Sequence, residues 1–119
     1  MINSISKKMK YISSLILFSL IGMKTYCQKV YSVDYENQSD VKVFVVQYEN
    51  QADLKVFKES YANQATLNDG KWFFVDYANQ SNKKIFFVRH ENQADLKIFF
   101  VKYENQAGWV NNSKKQLMY

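Results

Sequence analysis

Apolar and polar residues alternate in a pattern that recurs from residue 29 to residue 109. The dipeptide Asn-Gln marks the repeat, and its successive occurrences lie 13, 13, 16, 13 and 13 residues apart. Each copy reads approximately K-V-F-V-V-D-Y-E-N-Q-A-D-L, and we number its positions one to thirteen. The six copies begin at Lys29, Lys42, Lys55, Lys71, Lys84 and Lys97. Such a repeat indicates one structural unit used six times, in which no single unit can bury its own apolar face.

Within a copy, positions three, five and seven are mostly aromatic or β-branched, and position six between them is polar. A period of two in such residues predicts a half-buried strand. A helix is excluded because the apolar residues do not recur at spacings of three and four. We therefore expect positions three, five and seven to face the core. Position three holds Tyr31, Phe44, Phe57, Phe73, Phe86 and Phe99, and position seven holds Tyr35, Tyr48, Tyr61, Tyr77, His90 and Tyr103.

The Asn-Gln end of each copy predicts a turn, since asparagine tolerates left-handed backbone and its amide can bond its own main chain. A small residue follows the turn. Two places later comes position thirteen, an apolar residue in five copies, which we expect to pack under the next strand. These residues are Val41, Leu54, Leu67, Leu96 and Trp109, and Lys83 is the exception.

A three-residue insertion, Asn68-Asp69-Gly70, follows the third copy. Asp-Gly favours a hairpin, and the insertion divides the repeats into two pseudo-equivalent halves, residues 29–67 and 71–109. The third copy carries Lys58 and Glu59 where apolar residues usually stand, which favours an edge strand protected from edge-to-edge pairing. The predicted fold class is all-β, a compact single domain of six strand-turn units.

Residues 1–27 have the order of a secretory signal peptide: a lysine-rich start, an apolar stretch and a short polar end. Cys27 and Thr25 supply the small side chains that signal peptidase requires one and three places before the cut. We expect cleavage between Cys27 and Gln28, and a protein that is secreted, periplasmic or held at the cell surface. The chain then divides into a signal peptide (1–27), a six-repeat β domain (28–110) and a C-terminal tail (111–119).

Two alternatives use the same first residues. A permanent membrane anchor would need roughly 20 apolar residues, and the stretch between Lys10 and Lys24 is shorter. Lipidation of Cys27 would favour a leucine three places before it and a small residue just before it, where Lys24 and Tyr26 stand. Cleavage is therefore the preferred interpretation, with no membrane association after signal removal.

Removal of the signal peptide changes the electrostatics. Four of the 16 basic residues lie before residue 28 and none of the 11 acidic residues does, so the remainder has a net charge of +1. This balance lacks the basic surface that nucleic-acid binding requires. Cys27 is the only cysteine, so the mature domain has to hold together without disulfides.

No residue constellation in the sequence indicates catalysis, a metal or a cofactor. His90 is the only histidine, and it occupies a tyrosine position, where packing explains it. The recurring carboxylates are better explained by surface neutralisation of lysines than by calcium binding. They are Glu36, Asp40, Glu49, Asp53, Glu91, Asp95 and Glu104. Glycosidase chemistry needs two carboxylates whose environments differ from those of the other acids. Six equivalent copies give each acid similar surroundings, so this chemistry is not expected.

The recurring Tyr-(Glu/Ala)-Asn-Gln-(Ala/Ser) segment, as in residues 48–52 and 103–107, resembles that of the septoil-knot domain family of small exported bacterial proteins. The resemblance covers about residues 29–110. It implies a compact, mostly β domain whose backbone is deeply knotted with seven crossings, and no established activity. His90 and the altered third copy depart from the family unit.

The functional prediction is an exported, non-enzymatic structural or interaction domain, with a cell-surface protein or glycan as the expected class of partner. One alternative is a fibre or matrix subunit, because Asn-Gln ladders and stacked aromatics support cross-β assembly. Another is a glycan- or peptide-binding module that uses the Tyr-Glu-Asn-Gln repeats. The tail, residues 111–119, either caps the last strand with Leu117 and Tyr119 or is disordered.

Overall fold

A computed structural model describes residues 28–119, and each copy in it supplies one strand and one short 3-10 turn. The strands are β1 (Lys29–Ser32), β2 (Val41–Val45), β3 (Leu54–Lys58), β4 (Lys71–Phe74), β5 (Lys83–Phe87), β6 (Leu96–Phe100) and the short β7 (Gly108–Trp109). The 3-10 segments are Glu36–Gln38, Glu49–Gln51, Ala62–Gln64, Ala78–Gln80, Glu91–Gln93, Glu104–Gln106 and Asn112–Met118. The predicted mostly β single domain is confirmed.

The first six strands form a closed parallel barrel in the order β4-β1-β5-β2-β6-β3, and β3 pairs with β4 to complete the ring. Strand β7 adds antiparallel to the first part of β3. Both barrel neighbours of β1, β2 and β3 are therefore drawn from β4, β5 and β6. No two barrel strands that are consecutive in the chain are paired except β3 and β4.

One hydrogen bond recurs at every junction of the barrel. The N–H of position five donates to the carbonyl oxygen of position two on the next strand of the ring, at 2.7–2.9 Å. The six pairs are Val33 to Ile85, Val46 to Ile98, Glu59 to Trp72, Val75 to Val30, Val88 to Val43 and Val101 to Val56. Identical bonding in six copies explains why a nearly constant sequence unit suits this barrel.

The barrel core is built from position two, and the predicted core face is wrong in part. The position-two residues, all fully buried, are Val30, Val43, Val56, Trp72, Ile85 and Ile98. The aromatic residues of position three lie half-buried on the outside, and the tyrosines of position seven are exposed. Positions two to five are all largely apolar. The alternation of residues therefore could not show which face of each strand points into the barrel and which points outward. The position-thirteen prediction holds for Val41, Leu54 and Leu96, but Leu67 is exposed.

Position four alternates around the ring between a phenylalanine and an exposed, non-aromatic residue. Phe74, Phe87 and Phe100 pack against the core, and the intervening strands carry Ser32, Val45 and Lys58. The Lys58 ammonium lies 4.4 Å from the Phe100 ring centroid and 5.6 Å from that of Phe74, a cation–π arrangement. The predicted edge strand is wrong, because β3 is paired with β4, β6 and β7.

Position twelve clamps neighbouring strands together. The N–H of Asp95 donates to the Lys42 carbonyl at 2.8 Å, and its carboxylate accepts from the Lys42 N–H at 2.9 Å. Asp40 clamps Lys84 and Asp53 clamps Lys97 in the same way, and Asn82 does so for Lys29. These aspartates therefore do more than neutralise surface lysines, since their oxygens also accept main-chain N–H groups.

The turns lie where the sequence predicts them but have a different backbone. In all six, the N–H of the glutamine donates to the carbonyl of position seven at 3.0–3.1 Å. No residue other than glycine has positive φ within residues 28–119, so asparagine does not adopt the expected left-handed conformation. A 3-10 turn reverses the chain with negative φ throughout.

The insertion does not form the predicted hairpin, because β3 and β4 are parallel neighbours. Gly70 has φ of 89°, and a Cβ atom there would collide with the carbonyl oxygen of Lys55. The Gly70 carbonyl accepts from the Phe57 N–H at 2.9 Å. Close backbone approach and positive φ together explain why glycine stands at this position.

The tail packs against the barrel. Met118 is buried in the core cluster, where Leu117 also contacts it. The Gln28 amide donates to the Met118 carbonyl at 2.8 Å, and the Asn68 amide donates to the Lys115 carbonyl at 3.0 Å. Of the two alternatives for the tail, the ordered cap is the one observed, over residues 112–118.

We expect Asp95→Ala to lower the free energy of unfolding by about 1–2 kcal/mol, because it leaves the Lys42 N–H without its charged acceptor. Asp95→Asn is the matched control, since Asn82 already forms this clamp in another copy, and it should retain most of the stability. Urea denaturation measures both. Equal losses in the two variants would contradict the clamp.

Gly70→Ala should destabilise the protein by at least about 2 kcal/mol, because it combines a strained φ with a backbone collision. Gly108→Ala is the comparison, since Gly108 also has positive φ but a Cβ there would meet no atom within 4 Å. Thermal unfolding of both variants should show the larger loss at Gly70. A larger loss at Gly108 would exclude the collision as the dominant cause.

Candidate ligand-binding surface

The outer face of the barrel carries six cross-strand pairs of a lysine and an aromatic residue. Position one and position three lie directly opposite each other on neighbouring strands, so each ring is within reach of a lysine stem. The pairs are Lys29 with Phe73, Lys84 with Tyr31, Lys42 with Phe86, Lys97 with Phe44, Lys71 with Phe57 and Lys55 with Phe99. This arrangement explains the half-buried state of position three.

Glutamates of position eight pair with four of these lysines. The distances are 3.1 Å for Lys42–Glu36, 3.5 Å for Lys55–Glu49, 3.3 Å for Lys97–Glu91 and 3.5 Å for Lys71–Glu104. In each pair the two residues come from copies that flank a third strand in the ring, so the ion pair crosses that strand. We call this set of four pairs the girdle. The pKa of Lys42 is raised, first by its hydrogen bond to Glu36 and then by the charge of that carboxylate.

The girdle is interrupted at two positions, because the third and fourth copies carry Ala62 and Ala78 at position eight. A glutamate at position eight of the third copy would reach across β4 to Lys29, but Ala62 stands there. A glutamate at position eight of the fourth copy would reach across β1 to Lys84, but Ala78 stands there. Neither lysine ammonium has an ion-pair partner within residues 28–119. The interruption therefore leaves two lysine ammoniums outside the girdle, without an ion pair among the described residues.

A groove opens at each interruption. The groove over β1 has a volume of about 410 Å³ and is lined by Tyr31, Val33, Asp34, Tyr35, Gln38, Ala78 and Lys84. The groove over β4 has a volume of about 340 Å³ and is lined by Lys29, Ala62, Phe73, Val75 and Gln80. Because β1 and β4 are paired, the grooves lie side by side. We call the two grooves together the gap surface.

A larger depression of about 500 Å³ lies elsewhere and includes Tyr48, Glu49, Asn50, Lys55 and Val110. The ion pair of Lys55 with Glu49 lies within it, so this depression is part of the intact girdle. Its lysine is already neutralised, unlike those of the gap surface.

The position-seven tyrosines are the most exposed aromatic residues of the described chain. Their exposed fractions are 67% for Tyr35, 60% for Tyr48, 68% for Tyr61, 67% for Tyr77 and 61% for Tyr103. Each precedes a 3-10 turn whose Asn and Gln side chains are also exposed. We call these segments the tyrosine turns. His90, which replaces tyrosine in the fifth copy, is likewise exposed rather than in the core.

The predicted cleavage site lies at the boundary of the described residues. Cys27 is outside them. Gln28 is buried, its N–H donates to Ala65 at 2.9 Å, and its carbonyl accepts from Phe73 at 3.1 Å. Within residues 28–119, no helix has the length and apolar content that a membrane crossing requires. The same residues contain no cluster of three or more histidine, cysteine or acidic side chains able to hold a metal.

Glu59 is an acid at position five, where the other copies have valine. It is only 7% exposed, and its Oε1 atom has no hydrogen-bond partner. Burial raises the pKa of Glu59, and the nearby Glu104 carboxylate raises it further against the opposing charge of Lys71. The prediction of an edge strand at the third copy missed this burial, because β3 pairs with β4 and closes the ring.

We expect Glu59→Val to be more stable than the wild type, with the difference larger at pH 7 than at pH 4. The folded protein holds the Glu59 proton more tightly than the unfolded chain does, so its stability falls as pH rises through the interval between the two pKa values. Valine removes that loss. Urea denaturation at both pH values tests this, and a stability difference independent of pH would contradict it.

Comparison with known proteins assigns the chain to a family. The family model of the 7(1) septoil knot domain matches residues 27–110, which include all six copies. No curated protein and no solved structure matches the chain. Since the match spans more than half of the 119 residues, the chain belongs to the septoil knot domain family.

Proposed function

We propose that this chain is an exported, non-enzymatic interaction domain that contacts glycans or peptides through its tyrosine turns. The exposure of five tyrosine rings, each beside exposed amide side chains, is the observation that carries the proposal. Tyrosine offers a large apolar face and a hydroxyl at little conformational cost, which suits recognition surfaces. Export rests on the signal-peptide pattern of residues 1–27.

Repetition strengthens such a surface. Each tyrosine turn combines a tyrosine, an asparagine and a glutamine on nearly the same backbone, with φ between −123° and −132° at position seven. A repeating ligand can engage several turns at once, and linked weak contacts then raise the total affinity. A polymer at a cell surface, whether polysaccharide or protein, has this repeating character.

The fibre-subunit alternative has less support. Cross-β assembly requires strands with free edges, and barrel closure pairs both sides of the six main strands. The interaction domain needs no rearrangement of the barrel, so we prefer it.

We also propose that the backbone carries the seven-crossing knot for which the family is named, with the repeats forming two intertwined halves. The interleaved strand order supports this, because strands β1–β3 alternate with β4–β6 around the ring. Two chain segments wound around each other in this manner produce torus-type crossings.

Circularisation tests the knot. The ends of the full chain are ligated either in the native state or in denaturant, which gives covalently identical circles. If the native chain is knotted, the native-ligated circle should regain near-ultraviolet circular dichroism after denaturation, and the circle closed while unfolded should not. Equal refolding of both circles would contradict the knot.

Binding to an array of oligosaccharides and peptides tests the proposed function. The triple variant Tyr48→Ser, Tyr61→Ser, Tyr103→Ser should bind at least about tenfold more weakly than the wild type, because it loses three aromatic contacts outside the gap surface. Leu67→Ser is the control, since Leu67 is 59% exposed but belongs to no tyrosine turn. Absence of binding by the wild type, or unchanged binding by the triple variant, would contradict the proposal.

A further inference from the structure

We propose that the gap surface is a binding subsite for a carboxylate-bearing oligosaccharide. This inference rests on the proposed function as an interaction domain and specifies where on the barrel a charged ligand binds. It concerns one sector of the barrel, over β4 and β1, where the girdle of ion pairs is interrupted.

Charge is the first argument. Four outer lysines are each within 3.1–3.5 Å of a glutamate of the girdle, whereas Lys29 and Lys84 have no such partner. Tyr31 lies opposite Lys84, and Lys29 is two residues before Tyr31 on the same strand. The two lysines are thus diagonal neighbours on one face, with Cα atoms about 8 Å apart. Two adjacent cations without partners favour an anionic ligand.

Shape is the second argument. The alanines at position eight remove the side chains that would cross β4 and β1, and a groove is present over each strand. The two grooves, of about 340 and 410 Å³, are at the small end of the range of ligand pockets. Because the two grooves lie side by side, they suit a short oligomer with one residue in each groove better than a single large ligand.

The polar lining distinguishes a sugar from an acidic peptide. The groove over β1 contains the rings of Tyr31 and Tyr35, the amide of Gln38 and the carboxylate of Asp34. Ring faces accept the C–H surface of a sugar, and the amide and carboxylate can bond its hydroxyl groups. An extended peptide would find no free strand edge here, because β1 and β4 are paired on both sides.

Repair of the girdle tests the subsite. The double variant Ala62→Glu, Ala78→Glu introduces the residue that the other four copies already carry, so the fold should accept it. The new carboxylates should neutralise Lys29 and Lys84 and fill the grooves. Calorimetric titration of the full-length protein with an oligogalacturonate should show at least about tenfold weaker binding by this variant than by the wild type.

Two matched variants separate this result from general effects of charge and fold. The first, Ala62→Gln, Ala78→Gln, fills the grooves without adding charge and should lose less affinity than the glutamate pair. The second, Glu49→Ala, opens the girdle elsewhere and should not weaken binding. Circular dichroism and thermal unfolding verify that each variant is folded.

The choice of probe decides the ligand class. The wild type should bind the oligogalacturonate more tightly than an uncharged oligosaccharide of equal length, and added NaCl should reduce this preference. Equal affinity for a poly-glutamate peptide would overturn the sugar assignment. Unchanged oligogalacturonate binding by the repaired variant, combined with a loss in the tyrosine-turn triple variant, would overturn the subsite and leave the proposed function standing. Failure of the wild type to bind any probe would overturn both.

Discussion

The barrel depends on the pairing of strands from different parts of the chain. Each of β1, β2 and β3 has both barrel neighbours among β4, β5 and β6, and the hydrogen bond from position five to position two repeats this relation at all six junctions. No group of consecutive copies can close a barrel alone. Because parallel pairs of this kind join residues far apart in sequence, they gain little until the whole ring is assembled. The alternation of Phe74, Phe87 and Phe100 with non-aromatic residues follows from the same order.

Departures from the repeat concentrate on one arc of the ring, formed by β3, β4 and β1. This arc contains the buried Glu59, the insertion with Gly70, and the alanines that interrupt the girdle. In a barrel whose six junctions share the same hydrogen bond, such departures make one surface chemically different from another. The clamps and hydrogen bonds that repeat between copies explain stability, and the irregular arc is where specific recognition is proposed.

The repeat, the strands and the position of the turns could be predicted from the sequence because each depends on residues close together in the chain. The inner face could not, since positions two to five of most copies are apolar in both phases of the alternation. The clamps could not be predicted either, because they join residues distant in sequence. Asp40 and Lys84 are 44 residues apart, and Lys42 and Asp95 are 53 residues apart. The hairpin predicted from Asp-Gly is wrong for a related reason, because the parallel pairing of β3 with β4 overrides a local hairpin preference.

For the gap surface, Ala62 and Ala78 could be recognised in the sequence as deviations from the repeat. Their positions opposite Lys29 and Lys84 could be assigned only once the order of the strands in the ring was known. Cleavage after Cys27, export and the absence of catalysis stay predictions.

The interleaved pairing is tested most directly by NMR couplings measured across hydrogen bonds, which connect an amide nitrogen to the carbonyl carbon of its acceptor. The account predicts couplings from Val33 to Ile85, from Val46 to Ile98 and from Val75 to Val30, together with their three equivalents. Couplings that instead join consecutive copies, such as Val33 to Val43, would contradict it.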